Sequence, residues 1–338
     1  MTRITSPARP TPDMPRQAAD AAANPSSIGS PRASKTGVGS GGRTRGGVRR
    51  WVRAGGLSTL LFFLPTLVIF GLFSWWPILR SLPLSMEQTN FISTQWVWFD
   101  NFAKVLGDPL LPTAVLNTTW FTVLSLLIGF PVPLILGIAI GELRRSRQIA
   151  AVFVYLPVIL PPVAAVLLWQ TFYDPSTHGV FNTLLASVGI GPLPWLNSAV
   201  LAMPSIVLQA TWASFGTATI VYLATIMSVQ TELYDAAEVD GSGIWNRIWH
   251  ITLPQLRGVI LVLLLLQLIG TFQIFTEPYV MTGGGPQNHT LTILMLIFRY
   301  AFVSGNYGTA TALSVLLAIG LGVLSFVYLR LTRRWSNS

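Results

Sequence analysis

The sequence predicts an all-α polytopic membrane protein: six transmembrane helices, both termini cytoplasmic, and a polar cytoplasmic loop between helices four and five. Three observations carry this. Of 338 residues, 51% are hydrophobic and only 10% charged, against roughly 25% charged in an ordinary soluble domain. Six apolar runs each reach or exceed the ~20 residues that a spanning helix requires. Basic side chains gather in alternate connections between those runs, as a bilayer that sorts positive charge to one side demands.

The chain opens on a stretch, residues 1–56, rich in Pro, Ala, Ser, Gly and Arg and almost free of large apolar side chains. Such a segment cannot bury enough surface to offset its ordering entropy, so it reads as a disordered, basic, cytoplasmic tail. No apolar core lies near its start, so it does not read as a cleaved signal peptide. The GGRTRGGVRR run at 41–50 has the look of an RNA-binding Arg-Gly segment. A basic tail that orients the first helix accounts for it more simply.

The membrane domain follows over residues 57–335. Its runs are placed at Leu57–Leu79, Ala114–Ile140, Ile149–Trp169, Ala199–Met227, Val259–Val280 and Ala310–Leu331. Pro131, Pro133, Pro157, Pro161 and Pro162 fall inside or between the second and third runs. Neighbouring helices in a bundle can satisfy the carbonyls that proline frees; Pro161 and Pro162 read equally as a kink or as loop ends. With the amino terminus inside, 18 of the 21 Lys and Arg lie on the inner side, and only Arg80, Lys104 and Arg299 on the outer. Without the tail the split is still 8 to 3. The formal charge of +9 is therefore topology, and no nucleic acid is needed to explain it. Tryptophans such as Trp75, Trp76, Trp169 and Trp195 sit near run ends, where an amphipathic ring suits the lipid–water interface.

Composition also excludes chemistry. Cysteine is absent, which removes disulfides, thiolate metal sites and cysteine nucleophiles. His178, His250 and His289 are far apart and form no metal-spaced pair. The two lysines, Lys35 and Lys104, do not follow a glycine, so there is no GxxxxGK[ST] phosphate loop. The chain is read as non-catalytic, with no cofactor or metal of its own.

Among the connections, residues 230–257 stand out. Glu232–Val239 favours a helix that Thr231 can cap, and Gly241-Ser242-Gly243 ends it, because glycine reaches backbone angles that other residues avoid. Ile244–Ile251 forms a second amphipathic piece, and Pro254 marks where the next membrane run begins. Ala236 and Ala237 let another surface approach closely, beside the carboxylates of Asp235, Glu238 and Asp240. A lone Asp-Ala-Ala would mean little; the spacing is specific. An acidic residue and two alanines (Asp235, Ala236, Ala237) are followed after three residues by Gly241. Nine residues later comes Ile251, then after one more Leu253 and Pro254.

This pattern resembles the signature loop of the permease subunits of binding-protein-dependent ABC importers, with aspartate at 235 where that family usually has glutamate. A second stretch, Phe272–Thr290 (FQIFTEPYVMTGGGPQNHT), resembles the end of the fifth helix and the next outer loop in the carbohydrate branch, the maltose- and glycerol-3-phosphate-type permeases. Asp100-Asn101-Phe102 and Asn117-Thr118 carry a weaker likeness, and together the resemblance covers roughly 57–334. It implies a multi-pass protein of the bacterial plasma (inner) membrane that completes its pathway with a second permease subunit. An extracellular solute-binding protein would deliver the sugar, and an ATP-binding cassette ATPase dimer would hold ATP and Mg. The resemblance assigns contact with that ATPase to Asp235, Ala236, Ala237, Gly241, Ile251, Leu253 and Pro254.

Substrate contacts are sought where polar and aromatic groups lie at membrane depth, since unsatisfied polar atoms are costly there. The fourth run offers Gln209, Trp212 and Tyr222; the fifth offers Gln267, Thr271 and Gln273. Gln267, Thr271 and Ile274 recur at helical spacing and share a face. Glutamine and threonine equally join helices with no ligand present. Glu277 is the one carboxylate within an apolar run; sensing a cation, meeting water and pairing with a neighbouring helix are all open to it. No basic group is visible in the runs to meet a phosphorylated substrate, which favours neutral sugars. The alternative is an ion-coupled secondary transporter of a small polar solute. That class usually carries several intramembrane ionisable groups or repeated halves, and neither is found. A membrane-embedded enzyme lacks any His or carboxylate constellation.

Overall fold

The computed structural model describes residues 56–89, 93–143 and 145–336; the predicted tail therefore lies outside the described residues, apart from Gly56. The helix Gly56–Phe70 begins in a first unit, Met1–Leu64, and both hydrophobic cores lie within the second, Pro65–Ser338. Among the described residues, five helical segments are long and apolar enough to cross a membrane: Leu61–Leu84, Leu110–Glu142, Ala202–Met227, Ile244–Phe272 and Tyr307–Arg333. A sixth is a bent pair, Arg147–Ile159 and Pro162–Phe172, which meet at 96°.

That bend falls at Pro161 and Pro162, which the sequence left open as a kink or as loop ends, and it divides the run Ile149–Trp169 into two helices. A residue before proline is pushed out of the helical region by the ring. Leu160 and Pro161 each precede a proline, and both are extended (ψ 136° and 134°). The single prolines elsewhere are absorbed. Pro131 lies just beyond the π-turn Ser125–Gly129, inside the continuous span Leu110–Glu142, and the wider turn makes room for its ring against the preceding carbonyls.

The fifth run is corrected at both ends. Pro254 does not mark a new helix: the chain runs continuously from Ile244 to Phe272, through a π-turn at Ile248–Thr252. The wider turn makes room for the proline ring against the preceding carbonyls. At the far end the helix stops at Phe272 and not at Val280, and a short helix resumes at Thr276–Thr282. Pro278 sits in its first turn, where an N–H would be unpartnered in any case. The break frees the carbonyl of Ile274, which accepts the Thr292 hydroxyl at 3.0 Å.

Two cores hold the bundle. One gathers Phe121, Leu124, Val166, Trp169, Tyr173, Met203, Ile206, Val207 and Met281 from the second, third and fourth spans and the short helix. The other joins Val105 and Ala114 to Leu291, Ile293, Met295, Leu296, Ala312 and Leu313. Most of the remaining apolar surface faces outward, as it must where lipid is the solvent.

Polar ties pin the ends of the spans. Asn117 Nδ2 donates to the carbonyls of Asn288 and Leu291 at 2.6 and 3.0 Å, and Thr118 Oγ1 accepts from Ile293 N at 3.0 Å. Gln170 Nε2 donates to the Val280 and Met281 carbonyls. At the other tie, Asn101 Nδ2 donates to Ser85 O (3.0 Å) and Glu87 O (2.9 Å). Arg80 there grips Glu87 with two bonds of 2.9 and 2.8 Å. The short hairpin Glu87–Thr89/Thr94–Trp96 is thereby fixed against the helix Asp100–Leu106.

Candidate functional site

Residues 230–243 form an exposed outcrop after the fourth span, and residues 244–257 continue it into the foot of the fifth helix. A helix runs over Thr231–Val239. Thr231 is its first residue and not its cap: Gln230 holds the capping position and no side chain closes it. The far end is closed by the backbone. Gly241 sits at φ +72°, its N–H donates to Glu238 O at 3.1 Å, and Ser242 N donates to Ala237 O at 2.9 Å. These paired bonds are the Schellman termination, in which a left-handed residue lets the chain turn back over the last carbonyls.

Asp235, Ala236 and Gly241 are exposed, and Ala237 is half-buried. Among the described residues no ion pair engages Asp235 or Asp240. Val239, Trp245 and Trp249 stand open to the surroundings, so the outcrop presents apolar groups beside carboxylates. Ile251 and Leu253 are half-buried and Pro254 is exposed, all three at the root of the long fifth helix. Tyr234 OH meets Thr252 Oγ1 at 3.1 Å and ties the short helix to that root.

Sequence reasoning treated Arg247 as a topological charge only. It lies between two carboxylates, with Nη2 3.8 Å from Glu142 Oε2 at the end of the second span and Nη1 3.8 Å from Glu238 Oε2 on the short helix. The signal available was a single buried-capable cation among acidic neighbours, which no local pattern distinguishes. Contacts of this length between partly exposed groups contribute at most about 1 kcal/mol each. Arg247→Met should therefore leave the melting midpoint nearly unchanged. Amide hydrogen exchange over residues 231–239 should quicken several-fold; unchanged exchange would show that Arg247 does not anchor the helix.

The second feature is a cleft of about 230 Å³ between three spans. Phe121 and Ser125 line it from the second span, Ala210, Thr211 and Ser214 from the fourth, and Gln267, Gly270, Thr271, Ile274 and Glu277 from the fifth and its continuation. The shared face expected of Gln267, Thr271 and Ile274 is present. Gly129 leaves them room: a Cβ there would stand 2.9 Å from Thr211 Oγ1 and 3.5 Å from Gln267 Nε2.

The other predicted residues lie elsewhere. Gln209 and Tyr222 are buried among helices, with Gln209 Oε1 and Tyr222 OH unpartnered. Trp212 packs its ring 5.5 Å from that of Trp169. Gln273 is exposed and donates to Ile269 O of its own helix at 3.3 Å. Thr211, Ser214 and Ser125 were missed; small hydroxyls inside apolar runs were their only mark.

The family described as "Binding-protein-dependent transport system inner membrane component" matches this chain over residues 129–337, a stretch holding both the outcrop and most of the cleft. The trehalose/maltose transport system permease of Thermococcus litoralis is 29% identical over 275 residues, covering 81% of this chain and 92% of the relative. The lactose transport system permease of Rhizobium radiobacter is 31% identical over 273 residues, covering 79% and 91%. Among solved structures, a bacterial alginate ABC transporter in complex with a periplasmic protein bound to an alginate pentasaccharide superposes with a TM-score of 0.76. It is 29% identical and covers 86% of this chain and 98% of that one. The match reaches from the second span to the end of the sixth, and the chain belongs to the family of binding-protein-dependent transport system inner membrane components.

Proposed function

We infer that this chain is a permease subunit of an ABC importer for a neutral sugar or oligosaccharide, set in the bacterial inner membrane. The observation that carries the reading is the polar cleft between three otherwise apolar spans, with Gln267, Thr271 and Ile274 on one wall. Hydroxyl and amide groups are the partners that polyols need, and burying them in an apolar bundle is costly without a use. A second permease would complete the pathway from the facing side, and an extracellular binding protein would deliver the sugar. The relatives that carry trehalose, maltose and lactose support a saccharide cargo.

The outcrop is where the work enters. With the termini inside, residues 230–257 face the cytoplasm. The helix Thr231–Val239, led by Asp235, Ala236 and Ala237 and ended by Gly241, docks on a separate ATPase dimer, which holds ATP and magnesium. Because the fifth helix is continuous from Ile244 to Phe272, a push on the outcrop is carried along one rod to the cleft wall. This chain binds, encloses and releases, and performs no bond chemistry itself.

The test is uptake of a labelled sugar panel (maltose, trehalose, lactose and longer oligosaccharides) by cells carrying the complete transporter, with and without this subunit. Loss of uptake for at least one sugar is expected on deletion. Uptake of every sugar at the undeleted rate would end the carbohydrate assignment.

A further inference from the structure

We propose that Glu277 makes the cleft selective for uncharged, hydroxyl-bearing saccharides and excludes carboxylated or phosphorylated ones. The inference rests on the reading of the cleft as the sugar site.

Glu277 is the one charged side chain on the cleft wall, and no lysine, arginine or histidine lines it. Among the described residues, the ion pairs within 4.0 Å are those of Arg80, Lys104 and Arg247, and none involves Glu277. Arg299, the basic residue of the following segment, directs its Nη2 to Gly283 O. The carboxylate is half-buried, where a charge acts over several ångströms with less screening than in water.

Two of the four hydroxyls on the wall, those of Thr271 and Ser214, have their donors engaged. Thr271 Oγ1 donates to Leu268 O at 3.0 Å and Ser214 Oγ to Ala210 O at 2.7 Å. What they turn to the cleft is lone pairs. Around Glu277 the wall therefore offers acceptors and a carboxylate, with donors left to the Gln267 amide and the hydroxyls of Ser125 and Thr211. A sugar hydroxyl supplies the protons those acceptors lack. A uronate or phosphate supplies more acceptors and a like charge, with no lysine, arginine or histidine among the described lining residues to offset either. The alginate transporter carries an acidic polysaccharide; this chain is built for cargo of the opposite kind.

The absence of cysteine permits a direct measurement. In the complete transporter, reconstituted in vesicles, Ser214→Cys places one thiol of this chain in the cleft. Its labelling rates by a cationic and an anionic methanethiosulfonate of similar size, at alkaline pH, report the local potential. With Glu277 present, the cation-to-anion ratio should exceed that of a free thiol by about tenfold. Glu277→Gln should return it to the free-thiol value, and Glu277→Asp should retain it. Neutral oligosaccharides from the same panel should slow labelling.

A ratio indifferent to Glu277→Gln, with protection by sugar intact, would overturn the selectivity alone. Failure of every neutral saccharide to protect would overturn the sugar reading and the selectivity with it. A thiol that neither reagent reaches would do the same.

Discussion

Replacing Gly308 with alanine should cost the protein about 3 kcal/mol or more and remove most of the detergent-stable, monodisperse species. Gly308 sits in the first turn of the sixth helix, against the tie made by Arg80, Glu87 and Asn101. A Cβ there would lie 2.0 Å from the carbonyl oxygen of Glu87 and 2.6 Å from Asn101 Nδ2. The first contact is backbone and cannot swing aside. The second is a fully buried amide whose two donated bonds hold Ser85 and Glu87. Relief requires the sixth helix to withdraw from the hairpin, which also loosens the contact of Thr309 Oγ1 with Asn101 Oδ1. Gly320→Ala, in the same helix with no atom within 4 Å of the added Cβ, is the control and should melt like the parent. Equal melting midpoints for the two variants in thermal unfolding would refute the account.

Gly241→Pro should leave the protein folded in the membrane and abolish uptake, with ATP hydrolysis by the assembled complex persisting. The backbone at Gly241 stands at φ +72°, and proline is confined near −65°. Proline also removes the N–H that donates to Glu238 O. The helix Thr231–Val239 would then leave the chain in a different direction, and Asp235, Ala236 and Ala237 would be presented wrongly to the partner. Little else is disturbed, because nothing lies within 4 Å of a side chain at this position. Gly241→Ala pays only the left-handed conformation, roughly 1–2 kcal/mol, and should retain part of the uptake. Measuring sugar uptake and hydrolysis side by side decides the matter: normal uptake by the proline variant would sink the docking role.

The short helix of the outcrop and its glycine termination were legible because their rules are local. Four acidic residues and a glycine pair in a chain this apolar mark a polar segment, and Gly241 ends its helix by a backbone angle that few residues tolerate. The misplacements were also local in cause. Thr231 was given the cap, but Gln230 occupies that position and the hydroxyl is not used there. Pro254 was read as a boundary, but a π-turn can absorb a proline, and nothing in residues 248–252 announces the wider turn.

The cleft was half legible. Gln267, Thr271 and Ile274 follow one another at helical spacing, so their common face could be derived. Gln209 and Tyr222 look no different in sequence, yet helix packing buries them with unpartnered polar atoms and assigns the opposite wall to Thr211 and Ser214. In water an amphipathic pattern tells which face turns inward. In lipid both faces are apolar, and that signal is lost.

The likeness at Asn101 and Asn117 gains its physical reason only from the fold, where each amide ties two distant backbone segments.

The amino-acid sequence by itself determined the apolar runs and the glycine turn that ends the outcrop's helix, because hydrophobicity, chain length and glycine conformation act over a few residues. Tertiary structure alone decided where the fifth run breaks, which of several similar polar residues share a cleft, and that Glu277 stands in it with no ion pair among the described residues. Those outcomes depend on which surfaces meet across the bundle, and a uniformly apolar helix does not carry that information along its own length.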